Sequence, residues 1–311
     1  MSKLAVLFAG QGAQKTGMGK SLYDHNRAAK DVFDSAEKFL PGVTHLCFYA
    51  EQSELNKTIH TQPTVFTVDM AAYAALSAKG FVPTAAAGFS LGEYAALAAA
   101  EVMSFKQTIE LVKKRAEWMQ QDAQKQDGAM VAILKQTVEE AELLAQRFAK
   151  DGTLIAVNYN CPGQTVVAGD SDKVDALMAH CKDNKIRAMK LPVNGAFHTP
   201  HMRRVTKNIR EYLEEIDFSQ PIFTLYANKT AEPYTMQDMK YLIAEQTSSP
   251  VLFEQSIQNM IADGYDTFVE VGPGSTLSGF VSRIDDTVKV LHISDIESFD
   301  ETIAVLQQMN F

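Results

Sequence analysis

The chain opens on a short continuous apolar run, residues 4–9, which stops at Gly10-Gln11-Gly12-Ala13-Gln14. A run of that length bounded by glycines predicts a buried strand and a tight loop. Helical spacing follows over residues 24–40 and 63–79, then a strand over 85–89 and a helix over 104–122 with Ser104 as its cap. Strands alternating with helices predict a mainly parallel sheet covered on both faces. From Gly128 the rhythm changes. Residues 129–134 read as a strand, and 137–150 as a helix opened by a Thr137/Glu140 capping box. Strands over 154–158 and 165–168 flank an Asn160-Cys161-Pro162-Gly163 turn, and a helix over 171–183 leads to a strand over 186–191. That βαββαβ order, within about 65 residues, is the ferredoxin-like pattern. Elements of the first style then resume at 200–216, 222–226, 251–262 and 267–271.

The strand over 85–89 runs into Gly88-Phe89-Ser90-Leu91-Gly92 and an alanine-rich helix. Strand, glycine-flanked serine and helix form a nucleophile elbow, in which Gly88 and Gly92 let the two elements approach closely. Ser90 then sits at a helix N-terminus, where negative charge is favoured. The expected fold is α/β. An α/β-hydrolase-like large domain with a parallel sheet spans residues 1–126 and 197–311, and a ferredoxin-like small domain is inserted at 127–196.

Composition narrows the classes. An apolar fraction of 46% and a charged fraction of 22% over 311 residues describe an ordinary globular protein. No run approaches the roughly 20 apolar residues of a membrane span, and the glycines after Ala9 interrupt any leader-like segment. Cys47, Cys161 and Cys181 are odd in number and lack metal-type spacing, so reduced thiols in a cytoplasmic protein are expected. The formal charge of −9 argues against a nucleic-acid partner. Yet residues 179–210 hold Lys182, Lys185, Arg187, Lys190, Arg203, Arg204, Lys207 and Arg210 against Asp183 alone, which is 8 − 1 = +7. Such an island steers an acidic partner or a phosphorylated ligand, or else it is two solvated helix faces; both readings stand.

A serine nucleophile needs a base, and histidine is the side chain best tuned for it. His198 and His201 compete within Gly195-Ala196-Phe197-His198-Thr199-Pro200-His201, where the small domain returns to the large one. As a metal pair they lack a third ligand of suitable spacing, so no metal is expected. The other five histidines lie in helical or loop contexts where surface or satisfied-core roles are the default. On the 104–122 helix, Glu110, Lys113, Lys114, Glu117 and Gln121 make a polar face, and Arg115 falls among the apolar positions. A cation there must be paired. Its partner is either an internal acid or a substrate carboxylate gripped by the guanidinium fork. The Gly10-Gln11-Gly12 loop is placed to add a backbone N–H to that of Leu91 in an oxyanion hole. It lacks the spacing of a dinucleotide site. Gly272-Pro273-Gly274 reads as a turn that starts a helix.

Together, Phe8-Ala9-Gly10-Gln11-Gly12-Ala13-Gln14, Gly88-Phe89-Ser90-Leu91-Gly92-Glu93-Tyr94, Arg115, Gly195-Ala196-Phe197-His198, Gln246 before Ser249-Pro250-Val251, and Glu270-Val271-Gly272-Pro273-Gly274 closely resemble the malonyl-CoA:acyl carrier protein transacylases, nearly end to end. The resemblance implies that Ser90 is acylated and that His198, rather than His201, is the base. It implies oxyanion-hole N–H groups from Gln11 and Leu91, a malonyl carboxylate on Arg115, and a His198 held by the Gln246 carbonyl. Asn160, and more weakly His201, would line the pocket. The implied reaction is ping-pong, from malonyl-CoA to the phosphopantetheine thiol of an acidic acyl carrier protein, with no resident cofactor. Lys190, Arg203 and Arg204 are candidates for the carrier and CoA surface, and a monomer is expected. The chain departs from the family pattern at Ala9, usually Pro, and at Phe89, usually His. A serine esterase or thioesterase shares the elbow but releases the acyl group to water, and Arg115 argues against it. A carrier-binding scaffold is disfavoured by Ser90, His198 and Arg115 together.

Overall fold

The structure, a computed structural model, describes residues 2–193 and 195–309. Nine strands are present among them: β1 (Leu4–Phe8), β2 (Ala85–Gly88), β3 (Gly128–Leu134), β4 (Leu154–Cys161), β5 (Gln164–Asp170), β6 (Arg187–Lys190), β7 (Thr224–Tyr226), β8 (Thr267–Val271) and β9 (Lys289–Ile293). They form a five-stranded sheet in the order β7-β2-β1-β8-β9 and a separate four-stranded sheet in the order β4-β5-β3-β6. The first is wholly parallel and the second wholly antiparallel. The mixed α/β class and the break at Gly128 therefore hold. The outermost positions of the predicted large domain, Met1, Asn310 and Phe311, lie outside the described residues.

Every residue of β1 and β2 is buried, as continuous apolar strands of a parallel sheet should be. Chain order reverses at β1, which has β2 on one side and β8 on the other. At such a switch point the loops leaving neighbouring strands diverge and open a crevice at the carboxyl edge. Two of those loops are Gly10–Gln14 and the Ser90 turn.

Several boundaries move for local reasons. The predicted helix over 24–40 is two helices, Lys20–His25 and Arg27–Phe39, because Asn26 takes an extended conformation and accepts the Ala29 N–H as an N-cap. The helix expected from Pro63 begins at Thr58 and runs to Ser77 with Pro63 inside it. It is buried on nearly every side, and that packing outweighs a proline cost of about 3 kcal/mol. Both predicted caps form boxes, Ser104 with Gln107 and Thr137 with Glu140. Asn160 and Cys161 belong to β4 rather than to a turn. The strand continues until Cys161 pairs with Gln164, and only Pro162 and Gly163 turn. The 200–216 helix opens as a 3-10 turn, Pro200–Met202, before Arg203–Glu214.

The four-stranded sheet uses its two faces differently. Ala129, Val131 and Ile133 pack under the helices Val138–Ala149 and Ser171–Asp183. Met130 and Ala132, alternating with them, face the large sheet's side and its crevice. A bridge between Asn158 and Val251, with the Tyr159 N–H donating to the Val251 carbonyl at 3.0 Å, ties β4 to the rest of the chain.

Candidate active site

Ser90 occupies a left-handed backbone conformation, φ 52°, between β2 and the helix Gly92–Ala99. A non-glycine residue there is strained and persists only when its surroundings hold it. A Cβ on Gly88 would collide with the backbone of Gly92 and Glu93, and one on Gly92 with the carbonyls of Phe8 and Ala9. The motif's glycines are thus required by close approach of strand, turn and helix. Asn228, after β7, clamps the turn: its Oδ1 accepts the Ser90 N–H at 2.7 Å and its Nδ2 donates to the Gly88 carbonyl at 2.6 Å.

His198 is the second strained residue, φ 63°. Its Nε2 lies 2.8 Å from Ser90 Oγ, and its Nδ1 lies 2.9 Å from the Gln246 carbonyl and 3.1 Å from that of Ser249. Carbonyls only accept, so Nδ1 carries the proton and the Nε2 lone pair faces the serine hydroxyl. Burial, and then the Arg115 charge, lower the His198 pKa to about 4. The resting imidazole is neutral and ready to take a proton. His201 does not belong to this constellation, contrary to its weaker assignment to the pocket. Its Nε2 reaches Asp170 Oδ1 at 3.0 Å, at the end of β5, and it does not line the crevice.

Arg115 is 1% exposed. Nη1 donates to Gln62 Oε1 at 2.7 Å, and Nη2 donates to Gln246 Oε1 at 3.0 Å and to Ser90 Oγ at 3.2 Å. The Tyr94 ring centroid is 5.0 Å from the guanidinium carbon, and Nε has no acceptor. Of the two partners open at the sequence level, an internal acid is therefore not in contact. The acid that comes nearest in the network, Glu93, engages the far end of the Gln246 amide. Burial raises the Glu93 pKa to about 7, against hydrogen bonds from Tyr234, Asn228 and Gln246 and the Arg115 charge. A guanidinium beside the nucleophile whose hydrogen-bond partners are amides and hydroxyls, with no carboxylate among them, is suited to an incoming carboxylate.

A cavity of 460 Å3 opens over Ser90, between residues 10–14 and the face of the small sheet that carries Met130 and Ala132. Arg115, Phe197 and Asn160 line it, and Asn160 Oδ1 is buried without a partner. Among the described residues the backbone N–H groups of Gln11 and Leu91 donate to no protein acceptor. The Gly10–Gln14 loop is fixed by the Gly12 N–H on Gln14 Oε1 at 2.7 Å and by Gln14 Nε2 on Asn56 Oδ1 at 2.9 Å. The two departures from the family pattern have local accounts. Ala9 donates its N–H to the Val271 carbonyl at 3.3 Å, a bond proline lacks. Phe89 packs edge-on against Phe253 and tilted against Phe280, at centroid distances of 5.5 and 6.3 Å, so an aromatic cluster replaces a polar neighbour.

The basic island is partly neutralised. Lys190 pairs with Asp175 at 2.6 Å, Arg210 with Glu245 at 2.5 Å and Lys207 with Glu211 at 3.7 Å, while Arg204 faces Asp122 at 3.8 Å. Arg203, Lys207 and Arg210 line a surface groove next to Ser248, two residues beyond Gln246. Sequence reasoning missed Gln62, Glu93, Tyr94, Asn228 and Ser249. Tyr94 and Glu93 carried a signal, being next to the elbow, and Ser249 stood in the segment quoted after Gln246; Gln62 and Asn228 arrive from distant segments.

Comparison with known proteins agrees with this geometry. A family model described as an acyl transferase domain matches residues 6–300. The malonyl CoA-acyl carrier protein transacylase of Bacillus subtilis is 38% identical over 314 aligned positions, covering 100% of this chain and 99% of its own. The solved malonyl CoA-acyl carrier protein transacylase of Clostridium perfringens superposes with a TM-score of 0.94 at 37% identity, covering 99% of this chain and 98% of that one. A type II PKS acyl-carrier protein in complex with its malonyl-transacylase superposes at 0.93 with 30% identity, covering 99% of this chain and 100% of that one.

Proposed function

Since the chain belongs to the malonyl CoA-acyl carrier protein transacylase family, we propose that it moves a malonyl group from malonyl-CoA to the thiol of an acyl carrier protein through an ester on Ser90. The observation that carries this reading is the contact of Arg115 Nη2 with Ser90 Oγ at 3.2 Å, opposite His198 Nε2 at 2.8 Å. A hydrolase of neutral esters has no use for a buried cation touching its nucleophile. The malonyl carboxylate takes Arg115, whose unpaired Nε adds a donor. Ser90 Oγ attacks the thioester carbon as its proton passes to His198 Nε2, and the oxyanion forms against the Gln11 and Leu91 N–H groups. The C–S bond then breaks and His198 returns the proton to the departing CoA sulfur. The carrier's phosphopantetheine thiol repeats the sequence in reverse, giving its proton to His198. Gln246 orients the base through its carbonyl, a role an acid holds in other triads.

In the same reading, residues 1–126 with 197–311 form an α/β-hydrolase-like domain and 127–196 a ferredoxin-like one. The order β4-β5-β3-β6 with both helices on one face supports the latter. The groove with Arg203, next to the chain segment that carries His198, is the carrier surface, and the carrier is acidic. Incubation with labelled malonyl-CoA followed by carrier protein tests the whole. The expected result is labelled Ser90 and then labelled carrier. Free malonate would instead identify a hydrolase, and absence of any acyl-enzyme a scaffold.

A further inference from the structure

Beneath the nucleophile lies a buried acid that the mechanism above does not use. Glu93 is 2% exposed, in the first turn of the helix that follows the elbow. Its Oε1 accepts the Tyr234 hydroxyl at 2.6 Å and the Asn228 N–H at 2.8 Å, and its Oε2 accepts the Gln246 side-chain amide. That amide has two unlike ends. Its Nε2 also donates to the Ser90 carbonyl at 2.6 Å, while its Oε1 accepts from Arg115 Nη2 at 3.0 Å.

Rotated by half a turn, the amide would set its NH2 against the Arg115 guanidinium, donor against donor. Its oxygen would meet the Ser90 carbonyl and the Glu93 carboxylate, acceptor against acceptor. Arg115 and Glu93 thus select one orientation from opposite ends, and only Glu93 does so without touching substrate. We infer that Glu93 is a positioning residue for selectivity: through the Gln246 amide it holds Arg115 aimed at an acid-bearing acyl group. This rests on the malonyl-transfer reading given above. Glu93 also shares Asn228 with the Ser90 turn, so a purely structural role is the competing account, and it makes a different prediction.

Glu93→Gln preserves shape but gives Gln246 a partner that no longer demands a donor. Acyl-enzyme formation is followed by mass in single turnovers with malonyl-CoA and with acetyl-CoA, which lacks the carboxylate. The expected result is a malonyl-CoA kcat/KM lower by about 10- to 100-fold, the range for one hydrogen bond to a charged group, with acetyl-CoA within about 3-fold of the wild type. An equal fall for both donors, or no change in their ratio, overturns the inference in favour of structural support. Should Glu93→Gln not fold, Tyr234→Phe removes one of the donors that fix the carboxylate. It should shift the same ratio in the same direction by about 2- to 5-fold, and an unmoved ratio counts against the proposal. Wild-type malonyl-enzyme formation, measured alongside, separates this failure from failure of the function itself.

Discussion

Replacing Arg115 with methionine separates recognition of the acyl group from the chemistry on it. Methionine keeps an apolar stem against Tyr94 and removes the only cation in contact with Ser90 Oγ among the described residues. A malonyl carboxylate lies two bonds from the carbon that Ser90 attacks, so it is buried with the nucleophile, and among the described residues lining the cavity Arg115 is the one Lys or Arg it can meet. Losing one partner of a buried charge pair costs about 2–5 kcal/mol. At a factor of ten per 1.4 kcal/mol, malonyl-CoA kcat/KM should fall roughly 30- to several-thousand-fold. Acetyl-CoA presents no carboxylate, and its acylation should stay within about 5-fold. The two amide oxygens that lose a donor, Gln62 Oε1 and Gln246 Oε1, cost about 1–3 kcal/mol each in stability, partly offset by removing a desolvated cation. Quenched-flow acylation with both donors, beside a thermal melt of each protein, reads these effects separately. Parallel losses for malonyl and acetyl donors, or an intact malonyl rate, would refute the assignment of Arg115 to the carboxylate.

Further outcomes follow from other groups. With the His198 pKa lowered to about 4, the acylation kcat/KM should stay level down to about pH 5 and fall only below it; a midpoint near the ordinary 6.5 would contradict the buried, neutral base. In the unfolded chain that imidazole protonates near 6.5 but in the fold only near 4. Its contribution to stability is therefore present above pH 6.5 and lost as pH falls from there to 4, which His198→Gln should remove from the melt profile. Asp69 is wholly buried with both carboxylate oxygens unpartnered, and burial followed by Glu270 raises its pKa well above 3.8. The unfolded chain releases that proton first, so stability declines as pH rises past 3.8. Asp69→Asn should raise the melting temperature by a few degrees at pH 8 and leave it unchanged at pH 4. Arg203→Glu should slow transfer to the carrier about 5- to 10-fold at low salt with malonyl-CoA acylation unchanged. Lys190→Glu should do less, because Asp175 already neutralises Lys190; equal effects on both half-reactions would remove this surface from the carrier's path.

Much of the site was legible because it depends on short-range geometry. Ser90 could be read from Gly88 and Gly92, since a serine on a strained turn between strand and helix needs residues without side chains on either side. Arg115 could be read from helical periodicity, which sets it on an apolar face, and the separate four-stranded sheet from the change of rhythm at Gly128. Periodicity also showed that the guanidinium must have a partner, without saying which. The sequence by itself determined the class of elements and the elbow, and it named the candidate residues for acyl transfer.

The rest was decided in three dimensions. Gln62 and Asn228 reach Arg115 and Ser90 across 53 and 138 residues, separations over which no local pattern survives. The family resemblance already implied His198 over His201, but the physical reason, a left-handed backbone and carbonyls from a distant segment, lies in the fold, because both histidines sit in the same short run. Part of the basic island, Lys190, Arg204 and Arg210, meets acids from other elements once folded. Spacing along a chain specifies what lies on one face of one element. Hydrogen-bond partners are specified only when packing brings separate elements within about 3 Å.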